Sequence, residues 1–284
     1  MLAACLALAA FLMVATCLPA QDAQEPAAAP DPPRRYSRTV RETLFWAGAQ
    51  QILVTEAAGR IKVQGRDRSD IELKGIQTAF HKDLDTAREH VSDVVLSVES
   101  RPGTLRLRTR LPETWKPGLA GRIDYSLLAP QAAPLSLETV TGGISVINTK
   151  APLDARTVAG DVFCSDVGGP VTIVSVTGNV RAEHCSRARS IRTVTGSIDL
   201  TLETLEDDLE IHSLSGPVTL TLGEDLDATV MLYTGAGAIE YGGADDYSGR
   251  RLVEKVYGSG ARTIVVRTLT GNIVAEHSHG KEGK

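Results

Sequence analysis

The chain has 284 residues and a net charge of −5, with 42 % hydrophobic and only 4 % aromatic residues. No basic excess points to a nucleic-acid surface, and a core with so few rings must be built from Val, Ile, Leu and Ala. The 26 glycines, set among frequent Thr and Ser, suit many short strands and turns.

Residues 1–20, MLAACLALAAFLMVATCLPA, are apolar and free of charged side chains. The stretch is shorter than most spanning helices and reads as a secretory signal cleaved after Ala20. Two alternatives stay open. VATC could end a lipoprotein signal with Cys17 as the lipidated residue, or the segment could remain as an uncleaved anchor. Each route exports the rest of the chain to the periplasm or cell surface. Residues 21–38 are rich in Pro and Ala at first and read as a flexible linker. Cys5 and Cys17 belong to the signal, which leaves Cys164 and Cys185 for the mature protein, a pair that an oxidising compartment could bridge. The repeat register, with Cys164 as a small inward residue, argues against the bridge.

Residues 39–134 predict a β-rich part with one short helix. QILVTEAAGRIKVQGRDRSDIELKG gives two or three strands. DLDTAREHVSDVV places Leu84, Ala87, Val91 and Val94 at helical spacing, with Thr86 and Glu89 as a capping box. VVLSVES, TLRLRTR and GRIDYSLLAP alternate as strands again.

From residue 135 to 276 the chain repeats itself. Gly142, Gly160, Gly178 and Gly196 follow one another at 18 residues, and the spacing widens to 20 at Gly216 and 21 at Gly237. Gly271 centres a later copy and Gly59 an early one. Counting from each glycine, positions −2, +2 and +4 are apolar except for Gly235, as in Val158, Val162 and Cys164, and so are −7 and −5, as in Leu153 and Ala155. All of these are expected to face inward, with Arg189 the exception at −7. The alternation slips between −5 and −2, so each repeat is two short strands joined by a bend. A glycine just past the bend permits the close backbone approach that stacked turns need. No repeat could bury its apolar row alone, whereas a stack could. The fold class expected is therefore all-β, a single-stranded β-solenoid of roughly 18–21-residue coils continuous with the N-terminal part. Hexapeptide repeats of a left-handed β-helix fit less well, since PLDART and GGPVTI break their period.

The order of AGRIKVQG, a helix-bearing insertion, a strand ending in YSLLAP, and then LSLETVTGGISV with its repeats resembles the bacterial putative-adhesin family of unknown function. That family carries Gly-centred β-strand repeats and is related to the heads of some auto-transporter-like adhesins. The resemblance spans about Gln50 to Ala275. It implies an exported β-solenoid of the envelope or surface, and it brings no catalytic residues.

No zinc-site, P-loop, dinucleotide or nucleophile-elbow spacing occurs in the sequence. Asp245 and Asp246 read as a solvated loop, His277 and His279 as a polar tail over 277–284, and Cys185 as a loop residue beside His184. A catalytic role, a cofactor and a metal are not expected. The candidate contact surface is the outward −4 column with Arg156, Arg192, His212 and Arg267, followed by the acidic run ETLEDDLE. The expected function is a non-catalytic adhesin-like or structural binding module whose partner is an envelope protein or glycan. Alternatives are a regulatory envelope-stress partner and a polysaccharide-active enzyme, whose outer face would need converging carboxylates.

Overall fold

The computed structural model describes residues 32–46, 48, 50–242 and 251–277. The expected signal with Cys17, the linker up to residue 31, Asp245, Asp246 and the tail from residue 278 lie outside the described residues.

The N-terminal part supplies β1 (Arg34–Phe45), β2 (Gln51–Glu56), β3 (Ile61–Arg66) and β4 (Asp70–His81). After the helix α1 (Leu84–His90) come β5 (Val95–Arg101), β6 (Thr104–Arg110) and β7 (Ala120–Pro130). The repeats then give β8 (Leu135–Thr141), β9 (Ile144–Thr149), β10 (Leu153–Ala159), β11 (Val162–Val167) and β12 (Val171–Thr177). They continue with β13 (Val180–Glu183), β14 (Ala188–Thr195), β15 (Ile198–Leu202), β16 (Leu209–Ser215) and β17 (Val218–Leu222). The last described strands are β18 (Ala228–Thr234), β19 (Ile239–Tyr241), β20 (Leu252–Val256), β21 (Arg262–Thr268) and β22 (Ile273–His277).

The described chain is all-β apart from α1 and one 3-10 turn, and its strands form two 11-stranded mixed sheets. The first runs β1-β4-β7-β3-β9-β11-β13-β15-β17-β22-β19, the second β20-β18-β21-β16-β14-β12-β10-β8-β2-β6-β5. Successive strands from β8 to β17 alternate between the sheets, and each pairs in parallel with its counterpart one repeat away. Val162, for example, lies between Ile144 and Val180. Because an entire repeat separates paired strands, side chains of one kind pile into continuous apolar columns. The N-terminal part joins these columns directly, since β2 pairs with β8 and β3 with β9.

The glycine column is the reason for the repeated motif. A Cβ on Gly142, Gly160, Gly178, Gly196 or Gly216 would overlap the carbonyl oxygen of the glycine beneath it, beginning with Gly59. Gly271 sits in the same way on Gly216, and Gly237 on Gly271. Spatial order therefore departs from chain order at the end of the array. The Gly271 repeat inserts between those of Gly216 and Gly237, and β16 pairs with β21 while β18 lies beyond it.

The structure corrects several expectations. The linker ends early, because Arg34–Arg38 already belong to β1, an edge strand bound antiparallel to β4. Arg38 Nε donates to Gln77 Oε1 at 3.0 Å there, and the charged side chains suit an exposed edge. The helix cap is Asp83, not Thr86: its carboxylate accepts from Thr86 N at 2.9 Å and Thr86 Oγ1 at 2.7 Å. Arg189 is no core defect. The register shifts by one residue after Val171, so Ala188 turns inward and Arg189 outward to Asp207 at 3.1 Å.

The largest correction concerns the bend. Position −2 does not face the core. The inward alternation of −7 and −5 continues to −3, where Thr139, Thr157, Ser175, Thr193, Ser213 and Thr268 are all buried. The hydroxyls of Thr139, Thr157, Ser213 and Thr268 donate to glycine carbonyls, as Thr157 Oγ1 does to Gly142 O at 3.2 Å. Thr193 Oγ1 donates to Thr195 O, so burial of these polar groups is compensated, whereas Ser175 Oγ has no hydrogen-bond partner among the described residues. Position −2 is then forced outward. Cys185 lies in the loop between β13 and β14, as expected, but it is buried there, because the left-handed His184 (φ 52°) turns the next residue back inward.

Candidate functional site

The −4 column lies on the outer face of the second sheet. Register sets Arg156 between Glu138 and Val174, Arg192 between Val174 and His212, and Arg267 beside His212. The four candidate residues thus share one row, but three of them lie beside acids of the same sheet face and the fourth over an aromatic ring. Arg156 pairs with Asp154 at 2.9 Å, and Glu210 lies 3.7 Å from Arg192 and 3.5 Å from His212. The Arg267 guanidinium sits 5.5 Å from the centre of the Tyr233 ring. Exposed pairs of this kind contribute about 0–1 kcal/mol each, and they keep a sheet face solvated. The ETLEDDLE run is similarly engaged. Asp207 receives Arg187 at 3.2 Å and Arg189 at 3.1 Å, and hydrogen bonding from Arg189 holds its carboxyl below the usual carboxylate range.

A different row lacks such partners. Val140, Val158, Val176, Val194, Leu214 and Leu269 occupy position −2 at the bend and are 39–55 % exposed. They come from neighbouring strands of the second sheet, β8, β10, β12, β14, β16 and the turn after β21, so they stand one repeat apart in a single line. At roughly 4.8 Å per strand, six such side chains form an aliphatic ridge about 25 Å long. An apolar line of this length left in water is the ordinary mark of a contact surface.

Two concave places lie in the N-terminal part. A groove of 420 Å³ on the outer face of the first sheet is lined by Lys62, Lys74, Glu72, Leu128 and Ile147. A second, of 650 Å³, opens beside α1 between His81, His90, Trp115, Glu89 and Lys116. His90 Nδ1 lies 2.7 Å from Asp93 Oδ2 and its ring meets the Trp115 ring edge-on. His81 Nδ1 accepts from Asp83 N at 3.1 Å. Among the described residues, no three His, Cys, Asp or Glu side chains form a metal-holding group.

Among the described residues, one carboxylate is buried. Glu56 occupies the −3 position of the Gly59 repeat, where later repeats carry Ser or Thr. Its Oε1 accepts from Ala57 N at 3.0 Å and Ala58 N at 3.1 Å, and its Oε2 accepts from Thr109 Oγ1. Thr109 has one hydroxyl hydrogen, so Tyr125 OH, 3.0 Å away, must donate to it. Burial raises the Glu56 carboxyl above the usual range despite these donors, and it raises Tyr125 as well.

No protein-family model matches the chain, and no curated protein does. Among solved structures it is similar to a putative cell adhesion protein from Clostridium sporogenes, at 12 % identity and a TM-score of 0.39, covering 85 % of this chain and 100 % of that one. A putative adhesin from Bacteroides fragilis gives 11 % identity, a TM-score of 0.39 and coverage of 85 % and 97 %. A putative lipid binding protein from Parabacteroides distasonis gives 14 % identity, a TM-score of 0.30 and coverage of 85 % and 96 %.

The ridge was within reach of the sequence. TVTG, TVAG, SVTG, TVTG, SLSG and TLTG all carry Ser or Thr at −3. Extending the period-2 alternation from −7 through that column puts −3 inside and −2 outside. The aliphatic character of −2 hides this, because an apolar residue is read as core by default. The groove beside α1 had no such signal, since His81, His90 and Trp115 are brought together only by the packing of the 111–119 turn against the helix.

Proposed function

We propose that this protein is an exported, non-catalytic β-solenoid of the bacterial cell envelope, a binding module of adhesin type that meets an envelope protein or glycan along the ridge at its bends. The observation that supports this most is the line from Val140 to Leu269, six large apolar side chains held outward at the same position of neighbouring repeats. The alternation of strands between two sheets supports the solenoid reading, with two strands in each turn. On this reading the −4 column serves solubility, and the contact is made by the ridge.

The test is in-cell crosslinking of the tagged full-length protein, followed by identification of what co-purifies. One variant carries Val158→Thr, Val176→Thr and Val194→Thr, which keep shape and strand propensity while adding hydroxyls. The other carries Arg156→Ser, Arg192→Ser and Arg267→Ser. Recovery of a specific envelope partner is expected to fall more than about tenfold in the valine variant, given some 1.4 kcal/mol or more of lost apolar contact, and to persist in the arginine variant. Thermal melts should place both variants within a few degrees of the parent. Loss of the partner in the arginine variant alone would overturn the ridge assignment and return the contact to the −4 column.

A further inference from the structure

We propose that Cys164 and Cys185 form a disulfide that staples two successive repeats together. The two thiols are fully buried and face one another with sulfurs 3.8 Å apart. Cys164 holds the +4 position of β11, in register with Ala182 on β13, whose single methyl group leaves room above it. Cys185 follows β13 in the next repeat and turns inward at +7. It does so because Asn148, Asp166 and His184 all take left-handed conformations at +6 (φ 58°, 56° and 52°), making one recurring corner.

The corner needs an inward residue at +7, but it does not need a thiol. The two preceding repeats place Thr149 and Val167 there, both buried. A cysteine at this position in one repeat, facing a cysteine in the repeat before it, is therefore not explained by packing alone. The sulfurs are in van der Waals contact. A bond of about 2 Å requires side-chain rotation and a small closing of the corner, and no strand pairing has to be exchanged.

The chemistry balances with a low-molecular-weight disulfide as oxidant. The Cys185 thiolate attacks one sulfur of the oxidant, forming a mixed disulfide and releasing one thiol. The Cys164 thiolate then displaces the second thiol by attack on Cys185 Sγ. Two protons and two electrons leave the cysteine pair, and the oxidant's S–S bond becomes two thiols. The contact with Cys164 lowers Cys185 toward ionisation and raises Cys164, so Cys185 is the sulfur that opens the sequence. Since both sulfurs are buried, the reaction belongs to folding or to transient opening of the corner.

The experiment refolds the full chain, purified under reduction, in a mixture of oxidised and reduced glutathione. Denaturing alkylation, tryptic digestion and mass spectrometry follow. The expected product is the peptide Thr157–Arg181 joined to Ala182–Arg187 through Cys164 and Cys185. The melting temperature of the oxidised chain should exceed that of the same chain after dithiothreitol by about 5–10 °C, given the roughly 20-residue loop that is closed. A Cys164→Ala, Cys185→Ala double variant should lose that response. Recovery of both residues as alkylated thiols, or of each as a separate glutathione adduct, would overturn the proposal. The oxidised and reduced wild-type chains make this comparison even where the variant does not fold.

Discussion

Replacing Gly196 by alanine is expected to destabilise the protein by more than about 4 kcal/mol, the range reserved for backbone strain and severe overpacking. Two independent costs meet at this position. Its backbone has φ 138°, a conformation L-residues rarely adopt. The added Cβ would also drive into the carbonyl oxygen of Gly178, with the Gly178 nitrogen only 3.3 Å away. Neither cost can be relieved by a side-chain rotation, because the obstacle is backbone. Shifting the strand would not help either, since Gly216 rests on the Gly196 carbonyl in the same manner from the next repeat. The internal control is Gly143→Ala. Gly143 is a glycine of the same motif, adjacent to Gly142, but its Cβ would meet only Asp161 O, at 3.2 Å. That substitution should cost about 1 kcal/mol or less. Urea denaturation followed by far-UV circular dichroism separates the two. Equal effects would mean that the glycines are not stacked in close contact, and the account of the repeat would fail with them.

This contrast marks how far the sequence could be read. The central glycines and the apolar +2 and +4 positions, with −7 and −5 before them, carry a period that only stacked strands explain. Those residues do line the two sheets. What stayed hidden depended on residues whose chemistry contradicts their place. Thr139 and its equivalents are polar yet buried, and Val140 and its equivalents are aliphatic yet exposed, so a hydrophobicity pattern misplaces both. The order of the last repeats is hidden for another reason. A parallel pairing is fixed by which columns match, so nothing local tells β16 to take β21 in place of β18. The meeting of Cys164 and Cys185 turns on one left-handed residue, His184, which no alternation rule anticipates. The −4 column was legible as a row, whereas its neutralisation needed the positions of Asp154 and Glu210.

The second large effect is expected at Glu56, where the array begins with an acid in place of a hydroxyl. Glu56→Ala should cost about 2–3 kcal/mol, because Ala57 N, Ala58 N and Thr109 Oγ1 all lose their acceptor in a buried setting. Glu56→Gln is the sharper probe. Its amide oxygen can still accept from the two backbone groups, its NH₂ can donate to Thr109, and it carries no charge to desolvate. The pH dependence follows from the raised carboxyl of the folded chain. A carboxyl raised on folding favours the native state fully below the ordinary carboxylate range, where both folded and unfolded chains hold the proton. That contribution is lost as pH rises through the raised value, because the folded chain must then bury a charge that the unfolded chain leaves in water. The difference in unfolding free energy between Glu56→Gln and the parent should therefore shift in favour of the variant as pH climbs out of the carboxylate range. Other carboxylates cancel in that difference. Guanidinium unfolding of both proteins from about pH 4 to about pH 8 measures it. A difference that stays flat across this range would show Glu56 to be solvated in the native state. A difference of opposite slope would show that the donors from Ala57, Ala58 and Thr109 outweigh desolvation, and the carboxylate would then be an anchor of the first bend.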